Sequence, residues 1–114
     1  MKNTQINVLG TFYKIEYRNS NNDISLKDVD GYCDYTSRLI VIKVNNNNEL
    51  GDFERLQKKA LRHEIIHAFL AESGLQSNFQ HCNEFGHDET MIDWFAIQFP
   101  KILKIYKELK ITEE

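Results

Sequence analysis

A chain of 114 residues, 41% hydrophobic and 27% charged, has the composition of one globular domain with a single modest core. The net charge of −3 offers no electrostatic pull toward nucleic acid, and no apolar run approaches the roughly 18 residues that cross a bilayer. Met1 to Arg18 lacks the apolar block of a secretory signal, so the expectation is a cytoplasmic protein with neither nucleic-acid nor membrane partners.

The elements follow in chain order. Ile6 to Leu9 reads as a short strand before a turn at Gly10. From Phe12 to Arg18 the residues alternate, with Tyr13, Ile15 and Tyr17 on one side and Lys14, Glu16 and Arg18 on the other, which predicts a half-buried strand. Asn19 to Asp23 is loop, and Ser25 to Asp28 is a turn or short helix. The run "GYCDYTSRLIVIKV" reads as a strand or hairpin arm. Its best part, Leu39 to Val44, is apolar on both faces and predicts a strand covered on both sides.

Asn45 to Asp52 is loop, ending on Asp52 as a helix N-cap. Phe53, Leu56, Ala60, His63 and His67 recur at helical spacing and predict a helix to Ser73, with Gly74 just past its end. Leu75 to Gly86 is expected to be irregular. A further helix starts from Asp88 as N-cap, Pro100 breaks or kinks it, and "KILKIYKELKI" forms an amphipathic tail helix packed on the core. Strands first and helices after predict an α+β fold over residues 1–114: a small, mostly antiparallel sheet packed on a long helix and a C-terminal helix pair. Cys33 and Cys82 are far apart and form no C-x-x-C pair, so both are read as free, partly buried thiols, with a zinc-ligand role for Cys33 as the lesser alternative.

The chemistry is concentrated in "LRHEIIHAFLAESG", where two of the four histidines flank a glutamate in the pattern H-E-x-x-H. On a helix His63 and His67 share one face, a turn apart, and can aim imidazole nitrogens at one ion. Glu64 is rotated about 100° from His63, close enough to take a proton from a water held by that ion without itself binding the metal. Ile65, Ile66, Ala68 and Phe69 surround the motif, which predicts a largely buried helix. A catalytic zinc site keeps three protein ligands and one open position. In "GHDETMIDWFA", Glu89 and Asp93 stand four apart: Glu89 can complete the site, and Asp93 can accept a hydrogen bond from the far nitrogen of a ligating histidine. His81 and His87 precede that helix, and either could polarise a substrate carbonyl or stabilise the oxyanion. Tyr32 and Tyr35 are weaker candidates for the same task.

H-E-x-x-H followed by E-x-x-x-D resembles the gluzincin metallopeptidases. More narrowly, "LRHEIIHAFLAESGL" with "ETMIDWFA" resembles the compact ImmA/IrrE-type zinc peptidases of bacteria, mobile elements and phages, and is similar to the minigluzincins, some of which are latent. Glu89, Asp93, Phe95 and Ala96 match the downstream motif, whereas Ile92 stands where that family has a small alanine. The resemblance covers mainly Leu56 to Phe99. It implies a zinc cofactor, a peptide or protein substrate, Glu64 as general base, and His63, His67 and Glu89 as ligands. It also implies a strand before the active-site helix, Leu39 to Val44, at the sheet edge over the cleft, with a plain core strand as the equal alternative. The competing expectation is a zinc-holding regulatory or interaction module that does not cleave, or a latent protease whose tail or loop fills its cleft.

Overall fold

The computed structural model describes residues 2–45, 51–79 and 89–112. Four strands, β1 (Thr4–Val8), β2 (Thr11–Arg18), β3 (Gly31–Asp34) and β4 (Leu39–Lys43), form one sheet in the order β1-β2-β4-β3. β1 and β2 are antiparallel and joined at Leu9 and Gly10, with φ of +53° and +95°. Positive φ at both positions gives the mirror-image turn whose twist matches a hairpin, and Gly10 adopts it without steric cost. The Asn7 side chain accepts from the Gly10 N–H at 2.7 Å. β2 and β4 are parallel, and β3 pairs antiparallel with β4 at the edge.

Residue alternation sorts the two faces. Ile6, Val8, Tyr13, Ile15, Ile40 and Ile42 point to one side and are buried. Val41 points the other way and is also fully buried, as expected for a strand covered twice. On that outer side the chain between β2 and β3 folds over the sheet through a single 3-10 turn, Ile24–Leu26, and Leu26 is fully buried. Asp23 pins this turn. Its carboxylate accepts from the Tyr32 hydroxyl at 2.6 Å, the Arg18 guanidinium at 2.9 Å and the Ser25 N–H at 3.0 Å.

The inner face is closed by α1 (Phe53–Glu72), which begins on the predicted cap: the Asp52 carboxylate accepts from the Arg55 N–H at 3.1 Å. Ala60, Leu61, Ile65, Ala68 and Phe69 join the sheet residues in one core. Two side chains tie the ends of α1 to the sheet, Gln57 donating to the Lys43 carbonyl at 3.0 Å and Tyr13 donating to Glu72 at 2.7 Å. Gly74 follows with φ of +84°. Leu75 to Phe79, expected to be irregular, forms a short helix, α2 (Leu75–Phe79), in which Leu75 is buried.

The segments on either side of Pro100 form one helix, α3 (Glu89–Glu108), rather than a pair. Proline removes one helical donor, but Pro100 lies on the exposed side, and Ile102, Ile105 and Tyr106 beyond it are buried in the core. Burial of that face outweighs the lost bond. α3 runs antiparallel to α1. Trp94 donates to Ser73 Oγ at 2.8 Å near one end, and Tyr106 donates to the Arg62 carbonyl at 2.9 Å near the other. Lys110, with φ of +58°, ends the helix, and Arg62 donates to the Ile111 carbonyl at 2.8 Å. The α+β expectation is met. Among the described residues, no helix is long and apolar enough to cross a membrane.

Ile111 is fully buried in this core, which makes the tail part of the fold. Ile111→Ala is expected to cost about 2–5 kcal/mol in urea unfolding. A loss under about 0.5 kcal/mol, the range of ordinary surface substitutions, would show that the tail is not a core element.

Candidate metal centre

Successive residues of a helix turn by about 100°, so α1 divides into three faces. Leu61, Ile65 and Ala68 lie against the sheet, and Arg62 and Ser73 meet α3. The third face carries Leu56, Lys59, Ala60, His63, His67 and Leu70 and forms one wall of a groove with room for about 950 Å³. Val29, Gly31, Cys33 and Tyr35, in and around β3, line it from the other side.

His63 and His67 are exposed on this third face, not buried as their apolar neighbours in sequence suggested. Burial falls one residue along: Glu64 is only 8% exposed, although it lines the groove. It stands where the groove face turns into the sheet face. The two rings meet edge to face with their Nε2 atoms 3.1 Å apart. Candidate ligand atoms of His63, Glu64 and His67 all lie within 4.8 Å of one another, so this group could hold a metal ion.

The local electrostatics suit such a group. Partial burial, and then the neighbouring His63, lowers the pKa of His67, which favours the neutral ring that a metal ligand needs. Burial raises the Glu64 pKa above the ordinary carboxylate value, and His63 draws it partly back. Among the described residues Glu64 has no hydrogen-bond partner, so its carboxyl is uncommitted. Gly31 lies beside it, and the tight packing of β3 on β4 requires a glycine there. A Cβ at Gly31 would stand 2.8 Å from the Val41 carbonyl oxygen and 2.9 Å from Ile42 Cδ1, with Glu64 Cγ at 3.6 Å. Only a residue without a side chain fits this approach, a feature the single sequence did not single out.

The other sequence candidates divide. Glu89 opens α3 and Asp93 lies one turn later, while their side chains fall outside the described residues. His81, His87, Asp88 and Cys82 also lie outside them. Tyr32 and Tyr35 both line the groove, but the Tyr32 hydroxyl is committed to Asp23, whereas Tyr35 is 50% exposed. Cys33 is free, and its thiol is pushed up to about 12 by burial and by the negative charges of Glu64, Asp34 and Glu72. It is therefore protonated at neutral pH and is not a ready ligand. β4 is not the edge strand. It lies between β2 and β3, because the chain passes to the sheet edge before turning back, so β3 borders the groove. The tail lies along the α3 face of α1, so among the described residues it does not fill the groove.

His63→Ala or His67→Ala should each abolish stoichiometric uptake of a divalent ion in a metal titration. Glu64→Gln should leave uptake near one equivalent. Metal retained by both histidine variants would mean that this pair is not the centre. No family model matches the chain, and no curated protein or solved structure matches it.

Proposed function

We propose that this protein is a zinc-dependent peptidase of gluzincin type, with His63 and His67 as metal ligands and Glu64 as the general base. The observation that carries this reading is the pairing of two convergent imidazole nitrogens with a buried carboxyl, one residue along, that has no hydrogen-bond partner among the described residues. Two nitrogens bound at about 2.05 Å to one tetrahedral ion stand about 3.3 Å apart. The 3.1 Å separation of the two Nε2 atoms is close to that value, so the histidines fit zinc. A binding module that held zinc only for its structure would need no base, and its site would be closed by a fourth protein ligand.

Zinc supplies Lewis acidity, which makes a water acidic enough to lose a proton near neutral pH and polarises a substrate carbonyl. The remaining work belongs to the chain. Glu64 accepts the proton from the attacking water and returns it to the departing amine. Its raised pKa brings it nearer the working pH, where a group can do both. Glu89 is the proposed third ligand, and Asp93, a turn later, the proposed acceptor that orients a ligating ring. His81 and His87 remain the proposed groups for substrate or oxyanion contact. The substrate is an extended peptide or protein segment: among the described residues β3 has a strand partner on one side only, and its other edge offers main-chain donors and acceptors along the groove. The cytoplasm is the proposed compartment.

Glu64→Gln is expected to lower peptide hydrolysis by about 10²–10⁴-fold, the usual contribution of a general base. The assay is turnover of a quenched-fluorescent peptide mixture by zinc-loaded protein. Undiminished hydrolysis in the variant would remove Glu64 from the reaction.

A further inference from the structure

The outer face of the sheet is covered over only part of its length. Val41 is fully buried there, while Leu39, two residues earlier on the same face, is half-buried beside Lys14, its partner in the parallel pair. A second groove, with room for about 740 Å³, opens at this uncovered end between the β1–β2 hairpin and the β3–β4 turn. That turn separates it from the metal groove: Tyr35 lines the metal groove, whereas Ser37 and Arg38 line this one.

The charged side chains of the lining are Lys14, Glu16, Arg18 and Arg38, three cations against one anion on a chain of net charge −3. Glu16 is ion-paired with Arg18, which also binds Asp23 at 2.9 Å. Lys14 and Arg38 are exposed, and neither side chain has an ion pair or hydrogen bond among the described residues. Their spacing is fixed by the backbone, since the Lys14 N–H donates to the Arg38 carbonyl at 3.1 Å. The turn itself is held by Asp34, whose carboxylate accepts from the Thr36 N–H at 3.1 Å and the Ser37 hydroxyl at 2.8 Å. Arg38 has a φ of +56°, a left-handed conformation that suits glycine or asparagine better. Its side chain makes no contact within the fold that offsets this. Phe12, on the same face, is 57% exposed.

We propose that this second groove docks an acidic protein segment that also carries an aromatic or large aliphatic side chain. Carboxylates of the segment meet Lys14 and Arg38, whose guanidinium can take one in a two-point contact, and the apolar side chain packs on Phe12 and Leu39. The charge pattern selects this occupant. A nucleic acid would bring a continuous run of phosphates against Glu16 and a negatively charged chain, whereas a peptide can place its few carboxylates at the two cations alone. The docking site lies outside the metal groove and stands independently of the peptidase reading.

The test is an NMR titration of the isotope-labelled, full-length protein with a short peptide of glutamates around a central phenylalanine. The peptide should shift amide signals of Thr11 to Lys14 and Ser37 to Leu39. Lysines in place of its glutamates should abolish binding, and raising the salt from about 0.05 M to about 0.5 M should weaken it about tenfold. Lys14→Glu and Arg38→Glu, both at exposed positions, should each weaken it about tenfold as well. Arg38→Asn should lose the same binding without lowering the thermal midpoint, because asparagine tolerates the left-handed backbone. His63→Ala should bind the peptide unchanged. No binding, binding unaffected by either charge reversal, or tighter binding of a single-stranded oligonucleotide would overturn the proposal. So would loss of binding in His63→Ala, which would put the peptide in the metal groove, or a clear fall in stability of Arg38→Asn, which would make the arginine part of the fold.

Discussion

The packing of α1 against the sheet is the constraint on which the rest of the structure depends. Burial of Leu61, Ile65, Ala68 and Phe69 fixes the rotation of the helix about its axis. Gln57 at one end and Tyr13 at the other fix its position along the sheet. Once the rotation is set, the helical period leaves no freedom for the remaining faces. Arg62 and Ser73 turn to α3, while His63 and His67 turn to the groove. A slip of one residue would rotate both histidines by about 100°, off the groove face.

The same constraint separates the roles of adjacent residues. His63 is exposed because it lies on the open groove face, while Glu64 is buried because the next position begins the sheet face. Burial takes part of the hydration from a carboxyl there, and its affinity for a proton rises accordingly. Gly31 completes the arrangement from the other side, since its missing side chain lets the edge strand pack closely on Val41 and Ile42 beside Glu64. The proposed base is thus seated by contacts between elements distant in sequence.

Local patterns of the sequence read through to the structure where one element decides them. The alternation at Tyr13, Ile15 and Tyr17, the apolar faces of Leu39 to Val44, the Asp52 cap and the extent of α1 are of this kind, as is the shared face of His63 and His67. What the sequence could not show depends on partners far along the chain. The apolar neighbours of the histidines suggested burial, yet those neighbours occupy a different face, and only the placement of the sheet tells which face is open. β4 has the composition of a doubly covered strand, but its interior position follows from β3 going to the edge first. Pro100 signals a break, and the burial of Ile102, Ile105 and Tyr106 overrides it.

The central claim is that one zinc ion is held by His63, His67 and a carboxylate from the start of α3, with a position left for water. X-ray absorption at the zinc edge of the loaded, full-length protein tests it most directly. The account predicts two imidazole nitrogens and one carboxylate oxygen at about 2.0–2.2 Å, with a further light-atom ligand that exchanges with added anions. A third imidazole, a sulfur at about 2.3 Å, or four protein ligands and no exchangeable position would contradict it.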